Sequence, residues 1–209
     1  IAVIAAQCEL SLAESRSPEE YEEALRVIQN QSRKMSRLIN DMLDFTRLEV
    51  STDRYVMEPI DFTELVSFVC ADMALIREKG ITLQCEAEEG ILFCGNRELL
   101  TRLLTNLISN AYRYGKENGH IWVRLRKENS KIRLAVQDDG IGIAKEEQQK
   151  IFQRFYQADN SRSGPGIGLG LSMAQEIAHF HGGEITVESD LERGSTFTVC
   201  FMSESEPLG

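Results

Sequence analysis

Three short segments in the second half of the chain carry residue types that suit different parts of one ligand. They are N-L-I-S-N-A at 106–111, D-D-G-I-G at 138–142 and G-P-G-I-G-L-G-L at 164–171. A carboxamide oxygen can bind a hard cation, a carboxylate can accept a hydrogen bond from a base, and a glycine-rich turn before a helix can surround phosphates. In this combination the segments predict a site for a magnesium nucleotide.

The first segment lies on a predicted amphipathic helix over 97–114. At about 100° per residue, Asn106, Asn110 and Arg113 share an arc of roughly 60° at the edge of the apolar stripe. Mg²⁺ takes few of its six oxygens from protein, so one carboxamide suffices, and Arg113 can meet a phosphate oxygen. Two asparagines alone would more often be polar surface, and the other two segments reverse that preference.

The second segment ends a predicted strand over 131–138. Because side chains alternate along a strand, Asp138 shares the inward apolar face and Asp139 points outward. A buried carboxylate is costly unless it is paired, and the exocyclic amine of a base would pair it. Gly140 and Gly142 allow the backbone to turn tightly and to lie against a flat ring. Since Asp-Gly turns occur in many loops, this segment alone is weak evidence.

The third segment places four glycines, at 164, 166, 168 and 170, directly before a predicted helix over 171–181. Glycines allow backbone amides to approach a phosphate, and the helix N-terminus adds free N–H groups and a partial positive charge. The spacing matches neither a Walker loop nor a dinucleotide fingerprint. The regular Leu and Ile residues between the glycines argue against a plain flexible linker.

An aromatic and then polar stretch separates the second and third segments. Residues 151–156 read I-F-Q-R-F-Y, and the run at 157–163 is polar, with Arg162 as its one cation. Aromatic side chains such as Phe155 can anchor one edge of a lid, and the polar run can cover phosphates. We therefore expect a lid between the base-binding and phosphate-binding segments.

The elements that must position this site begin with a predicted helical hairpin over 1–50. Its second helix starts after Ser17, a good N-cap, with Pro18 in the first helical position. Apolar residues recur along that helix at heptad spacing, at Tyr21, Leu25, Ile28, Met35, Ile39 and Met42. A hairpin this small cannot bury so wide a face, and two copies forming a four-helix bundle would do so. The alternative is packing against the rest of the same chain.

A linker over 51–58 is expected to lead into a second domain over 59–209. Its helices are predicted at 62–78, 97–114 and 171–181, and its strands at 81–86, 91–94, 121–126, 131–138, 184–188 and 196–201. This order predicts an α/β sandwich with a mixed, mainly antiparallel sheet and helices on one face. With the hairpin, the fold class is α+β.

Bulk composition excludes several classes of protein. The 209 residues carry a net charge of −10, which argues against nucleic acid or an anionic membrane as a partner. No apolar run approaches the roughly 18 residues of a membrane span, and the apolar start of the chain has no basic region before it, so no signal peptide is expected. The five cysteines form no C-x-x-C pair, which favours reduced, packed thiols in an intracellular compartment.

The order of the segments resembles a known family. Residues 59–202 resemble the ATP-binding domain of bacterial sensor histidine kinases, with its N, G1, F and G2 boxes in sequence. H-G-G at 181–183 and G-S-T-F at 194–197 extend the resemblance. Residues 1–50 look like the dimerisation and histidine-phosphotransfer hairpin of that family. The resemblance implies a Bergerat-type α/β sandwich that binds ATP and Mg²⁺.

The resemblance also implies roles for individual residues. Asn110 would be the Mg²⁺ ligand, with Asn106 supporting the phosphates. Arg113 would contact phosphate, Tyr114 would lie beside the nucleotide, and Asp138 would accept a hydrogen bond from the adenine amine. The other nucleotide-binding positions that it implies are Gly140 and Gly142 beside the adenine, Gly166, Gly168 and Gly170 beside the phosphates, and Phe155, Arg162, Leu169, Leu171 and Thr196.

Under this resemblance the parent protein is a protein-histidine kinase of a two-component phosphorelay. It would transfer the ATP γ-phosphate to a histidine and then to an aspartate of a response-regulator receiver domain. The expected partners are a second copy, bound through the hairpin, and that receiver domain. We expect neither nucleic acid nor direct membrane contact for this segment, and a cytoplasmic location within a membrane-anchored parent.

The chain departs from the family pattern in two places. The family's phosphoacceptor motif, like H-E-L-R-T-P, precedes residues like I-A-V-I at 1–4, whereas the histidines here are His120, His179 and His181, for which structural roles are expected. The chain is therefore expected to bind ATP without autophosphorylating on histidine. Gln157 stands where the family often has arginine, which leaves the lid one cation short.

Two other functions remain open. An ATP hydrolase of the same fold needs a carboxylate on the first-segment helix to activate water, but nothing acidic lies between Leu99 and Tyr114. A non-catalytic dimeric scaffold would bind nucleotide or a partner and transfer nothing.

Overall fold

The structure is a computed structural model that describes residues 1–50, 55–76, 79–157 and 168–202. The chain divides into two compact units, Ile1–Arg47 and Leu48–Gly209. The first unit is helical, and the second contains all the strands of the described segments.

The first unit is a helical hairpin, as the sequence predicts. Helix α1 spans Ala2–Ala13, and α2 begins at Pro18 and runs to Val50. The backbone N–H of Ser17 donates to the Glu20 carboxylate (2.8 Å), and the Ser17 hydroxyl accepts from the N–H of Glu20 (3.2 Å). This reciprocal pair is a capping box, and it confirms the predicted start of the second helix.

The hairpin leaves much of its apolar face uncovered. Leu12, Leu25 and Met42 are 86%, 64% and 57% exposed, respectively. Large apolar side chains at heptad spacing are rarely left in water when a partner can cover them. The exposed face is therefore consistent with the predicted bundle of two hairpins.

The second unit contains two sheets and the remaining helices. Its strands are β1 (Glu58–Asp61), β2 (Thr82–Ala87), β3 (Leu92–Gly95), β4 (His120–Glu128), β5 (Lys131–Asp138), β6 (Glu184–Asp190) and β7 (Gly194–Met202). Its helices are α3 (Phe62–Met73), α4 (Arg97–Tyr114), α5 (Lys145–Gln148) and α6 (Gly170–Phe180).

The main sheet has the order β2-β4-β5-β7-β6, and β1 pairs with β3 in a small second sheet. The β2–β4 pair is parallel, and the other pairs of the main sheet are antiparallel. Inward side chains such as Val123, Leu134 and Val199 are fully buried, and α4 packs between α3 and α6 over this face. The predicted sandwich with a mixed, mainly antiparallel sheet is confirmed.

Two local predictions are wrong. The helix expected over 62–78 ends at Met73, whose carbonyl accepts from the Tyr112 hydroxyl (3.0 Å), and the chain then turns. Strand β1, which begins at the last residue of the expected linker, was not predicted. Pro59 is tolerated in it because β3 is the only strand that pairs with β1 in the described sheets. Among the helices of the described segments, none combines the length and apolar character needed to cross a membrane.

Candidate nucleotide-binding site

Helix α4 carries the first segment on a partly exposed edge. The helix starts at the N-cap Asn96, whose side chain accepts from the N–H of Leu99 (3.0 Å). Its apolar stripe is buried, while Asn106 and Asn110 remain half-exposed beside that stripe. A Cβ added to Gly170 would lie 3.8 Å from Asn106 Oδ1. The first turn of α6 is therefore next to this polar edge of α4.

Arg113 ends the same edge with an unsatisfied donor. Its guanidinium carbon lies 5.2 Å from the centre of the Tyr114 ring. Its Nη2 atom is buried and has no hydrogen-bond partner within the described residues. Because a buried N–H without an acceptor is costly, this atom favours an anionic oxygen in the site.

Asp138 is a buried carboxylate at the end of β5. It is 4% exposed, and its Oδ1 accepts from the N–H of Gly140 (2.9 Å). Burial raises the pKa of Asp138 to about 6, although the N–H groups of Gly140 and Ser195 partly oppose that rise. At neutral pH the carboxylate is ionised in a position with little water, where a further donor would be favourable.

The neighbouring Asp139 has the opposite environment. Its carboxylate accepts from the N–H of His120 (2.9 Å) and lies 3.3 Å from Lys116 Nζ. Partial burial acts to raise the pKa of Asp139, but the hydrogen bonds from His120 and Lys116 hold it below the usual value. Asp139 is therefore committed to its own neighbours, and Asp138 is the acid that faces the site.

The glycines after Asp138 are required by protein packing. A Cβ on Gly140 would overlap the carbonyl of Tyr114, which also accepts from the N–H of Ile141 (3.2 Å). Gly142 has a φ of +69°, and a Cβ there would overlap the Asp190 carbonyl. These close approaches hold the loop between the end of α4 and the turn that joins β6 to β7.

The ends of the predicted lid meet at Phe155 and Gly168. The N–H of Phe155 donates to the carbonyl of Gly168 (2.9 Å), and both residues have positive φ, +61° and +76°. A Cβ on Gly168 would overlap the Tyr156 carbonyl, so glycine is needed there. The Tyr156 hydroxyl donates to the Glu147 carboxylate. Arg162 and Gly166, with the rest of 158–167, lie outside the described residues.

The start of α6 follows directly. Leu169 is buried, and its carbonyl accepts from the N–H of Met173 (2.9 Å) and from the Ser172 hydroxyl (3.0 Å). A helix cannot satisfy its first amides internally, which here include those of Gly170 and Leu171. These amides are therefore available beside the Asn106 edge of α4.

The structure separates Thr196 from the other predicted residues. Asp138 lies directly opposite Ser195 in the β5–β7 register, whereas Thr196 lies opposite Gln137. Directly opposed residues share a face of the sheet and consecutive residues alternate, so Ser195 is on the Asp138 face and Thr196 is on the other. The register therefore favours Ser195 over the predicted Thr196 as the residue of β7 beside Asp138.

This arrangement matches known protein families. Residues 95–205 match the family described as "Histidine kinase-, DNA gyrase B-, and HSP90-like ATPase". The chain belongs to this family. Residues 1–50 match "His Kinase A (phospho-acceptor) domain", and together the two matches identify the catalytic portion of a sensor histidine kinase.

Individual relatives agree with the family. The chain is 37% identical over 203 residues to sensor histidine kinase RppB of Synechocystis sp., a match that covers 95% of this chain and 44% of RppB. The solved structure of full-length ShkA in complex with AMPPNP is 25% identical with a TM-score of 0.76, over 99% of this chain and 43% of that one. The chain spans less than half the length of either protein.

A further structure shows the same fold. Histidine kinase ThkA, solved in complex with response regulator protein TrrA, has a TM-score of 0.78 and 23% identity, over 98% of this chain and 58% of that one. At this identity the similarity supports the fold.

In this chain, Ser189 and Gln148 brace the Asp138 loop, and the sequence analysis missed both. The Ser189 hydroxyl donates to the Gly194 carbonyl (2.7 Å) and accepts from the N–H of Ile143 (2.8 Å). The Gln148 amide donates to the carbonyls of Ser189 (2.7 Å) and Ile143 (3.1 Å). The bonds from Ile143 to Ser189 and from Gln148 to Ser189 join residues 46 and 41 positions apart, so local sequence offers no signal for them.

His181 has a structural role, as expected. It is buried, its Nε2 accepts from the N–H of Asn96 (3.0 Å), and its Nδ1 donates to the Ile177 carbonyl (2.7 Å). Burial lowers its pKa, which keeps the ring neutral as this pattern requires. His181 thereby links the C-terminal end of α6 to the N-cap of α4, at the far end of α4 from Arg113.

The site offers oxygen ligands of the type that suits Mg²⁺. In the described part of the chain no group of three or more His, Cys, Asp or Glu residues could hold a metal. The carboxamide of Asn106 lies beside the start of α6, and Asn110 follows one turn later on the same helix α4. Mg²⁺ is commonly held by one or two protein oxygens together with phosphates and water, and this donor set fits that pattern.

Proposed function

We propose that the second unit binds magnesium ATP and donates its γ-phosphate to a histidine of a sensor histidine kinase. The observation that carries this proposal is the buried Asp138 carboxylate, with a pKa of about 6, beside a loop braced on both sides. A carboxylate buried in this way can accept a hydrogen bond from the exocyclic amine of a base. The family assignment supports ATP as that nucleotide.

The predicted residues around the base and the first phosphates have defined roles in this proposal. Asp138 accepts from the adenine amine, and Gly140 and Gly142 hold the loop at the distance that the base needs. Arg113 donates to a phosphate oxygen through Nη2, which has no partner among the residues that the structure describes, and Tyr114 supports that guanidinium. Ser195 replaces Thr196 as the residue of β7 that faces Asp138.

The phosphate region is formed by two helices. Asn110 would hold Mg²⁺, and Asn106 would support the phosphates together with the first amides of α6 at Gly170 and Leu171. The ion, when bound, would neutralise phosphate charge. The proposed lid leaves this region at Phe155 and rejoins it at Gly168 and Leu169.

A titration of the chain with a non-hydrolysable ATP analogue, with and without Mg²⁺, tests nucleotide binding. Saturable binding that strengthens with Mg²⁺ is expected. Asp139→Asn is a matched control for Asp138→Asn, because it removes a neighbouring charge that faces away from the site. Equal losses in the two variants would contradict the assignment of Asp138.

We also propose that phosphate passes to a histidine outside this chain and then to a response regulator. His181 is buried and doubly hydrogen-bonded, and the His120 ring lies 3.3 Å from the Asp139 carboxylate. His179 lies in the last turn of α6, at the opposite end of that helix from the Gly170 amide. None of the three rings is therefore poised as an acceptor. When this chain is mixed with radiolabelled ATP and a longer version of the kinase that carries Asp138→Ala, the longer version should become labelled on histidine. No labelled histidine under any partner condition would contradict the proposal.

The exposed apolar face of the hairpin supports a homodimer. Sedimentation of the chain should show a dimer, and Leu25→Glu should shift it toward monomer, since a charge is costly in a helical interface. An unchanged dimer would point to packing through another surface.

One observation separates this proposal from ATP hydrolysis. Helix α4 has no acidic residue after Glu98 that could activate water beside Asn110. Steady phosphate release by the isolated chain, unaffected by a phosphoacceptor, would favour a hydrolase instead.

A further inference from the structure

Two cysteines on different elements meet beneath the edge of the main sheet. Cys70 lies on α3 and is 2% exposed, and Cys85 lies on β2 and is exposed. The two thiols are close enough for each to shift the pKa of the other. One thiol is open to solvent, and its neighbour is enclosed.

The register of the sheet explains why they meet. Cys85 lies opposite Val123, a fully buried residue on the helix-facing side of β4. Directly opposed residues share a face, so Cys85 also points toward the helices. Strand β2 is the last strand of the sheet, which leaves this side accessible at the edge, and α3 packs against it. Cys70 is on the inner face of α3, with Val66 and Met73.

The two thiols differ in reactivity. The hydrogen bond from Cys70 lowers the pKa of Cys85, although partial burial opposes this. The same bond, together with burial, raises the pKa of Cys70. A solvent-accessible thiol of lowered pKa beside a second cysteine is the arrangement that oxidants attack and that a resolving thiol completes.

We propose that Cys70 and Cys85 form an oxidation site at which a hydroperoxide converts the two thiols into an intramolecular disulfide. The Cys85 thiolate attacks the peroxide oxygen, the O–O bond breaks, and Cys85 becomes a sulfenic acid while alkoxide or hydroxide leaves and takes a proton. The Cys70 sulfur then attacks the Cys85 sulfur. The S–O bond breaks, and hydroxide leaves with the Cys70 proton as water. Two electrons pass from the thiols to the peroxide.

The disulfide would close a segment that supports the nucleotide site. Lys79 lies between the two cysteines in sequence, and its Nζ donates to the carbonyls of Arg113 (2.6 Å) and Gly115 (3.0 Å). These carbonyls lie at the C-terminal end of α4, where Arg113 lies. The oxidation chemistry itself does not depend on the proposed kinase activity.

The test treats the folded native chain with a small excess of hydrogen peroxide and analyses it by intact mass and peptide mapping. We expect the loss of two hydrogen atoms, a crosslinked peptide joining Cys70 and Cys85, and reversal by dithiothreitol. Closing a loop of this length should raise the Tm by about 6–12 °C. Oxygen addition at Cys85 without a crosslink, or disulfides to other cysteines or between chains, would overturn the proposal.

Variants sharpen this result. Cys94→Ser and Cys200→Ser are matched controls that should keep the crosslink. In Cys70→Ala, Cys85 should gain oxygen in place of the crosslink. If that core variant does not fold, Cys85→Ser changes the exposed member instead, and Cys70 should then stay reduced under the same treatment. Oxidation of Cys70 in that variant would contradict the assigned order of attack.

Discussion

The base side and the phosphate side of the site are held by different amounts of protein structure. The base side is the loop 138–142, which contacts the end of α4 through the Tyr114 carbonyl and the β6–β7 turn through Asp190. The phosphate side is the Asn106–Arg113 edge of α4 with the first turn of α6. There Arg113 keeps a buried donor without a partner among the described residues.

This difference indicates how binding proceeds. A pocket whose backbone is fixed before the ligand arrives loses little conformational entropy on binding, and it can select a base by hydrogen bonds. A region with unsatisfied donors gains most of its interactions from the ligand itself. We therefore expect base-side changes to alter selectivity and stability, and phosphate-side changes to alter the response to Mg²⁺.

The largest expected effect comes from removing the base-side acceptor. A hydrogen bond to a charged acceptor contributes about 1.5–3 kcal/mol, so Asp138→Ala should weaken ATP binding by roughly 10- to 150-fold. Calorimetry measures this loss. Asp139→Ala, the control, should change affinity far less because its carboxylate is bound to His120 and Lys116. Unchanged affinity in Asp138→Ala would show that the Asp138 carboxylate does not bind the base.

The same acid should make the ligand-free domain sensitive to pH. Because burial raises the folded-state pKa of Asp138 to about 6, its contribution to stability is fully present below its unfolded pKa, near 3.8, and is lost as pH rises through 6. Asp138→Asn should therefore stabilise the ligand-free domain at pH 7.5 by up to about 3 kcal/mol. Chemical denaturation at pH 4 and pH 7.5 measures the change in unfolding free energy. An equal change at both pH values would show that the ionised Asp138 carboxylate is not its cause.

A smaller loss should follow from loosening the brace. Ser189→Ala leaves the N–H of Ile143 without its acceptor, which should cost about 1–3 kcal/mol of unfolding free energy and weaken ATP binding several-fold. Thr186→Ala removes a hydroxyl from the same strand that makes only a long 3.5 Å contact to Thr198, so it serves as the control. If both variants behave alike, the base side is not specifically braced.

The smallest effect on stability should appear on the phosphate side. Asn110→Ala should reduce Mg²⁺-dependent ATP binding by about tenfold, and leave binding of metal-free nucleotide and the Tm nearly unchanged. Ser109→Ala is a control on the exposed neighbouring position of α4. Equal losses with and without Mg²⁺ would show that Asn110 supports the fold or the base and not the ion.

Sequence reasoning succeeded where the pattern is local. Helix α4 has the predicted bounds because an N-cap, a long apolar stripe and a following glycine all agree. The inward direction of Asp138 follows from strand alternation along β5. Strand β1 was missed because four residues that include Glu58 and Pro59 carry no strand pattern.

Long-range contacts account for most of what the sequence could not predict. Ser195 and Thr196 are adjacent polar residues, and only the β5–β7 register decides which one faces Asp138. Gln148 and Ser189 become a brace only when α5 lies against the β6–β7 hairpin. The sequence likewise gives no sign that Cys70 and Cys85 are neighbours, because only the packing of α3 on β2 brings them together.

The central claim is that Asp138 accepts a hydrogen bond from the base amine. Its most direct test is a double-mutant cycle that compares ATP with purine riboside triphosphate, which lacks the amine, in the native chain and in Asp138→Ala. Loss of the amine should weaken binding to the native chain by about tenfold or more and leave binding to Asp138→Ala nearly unchanged. Equal losses in the two proteins would contradict it.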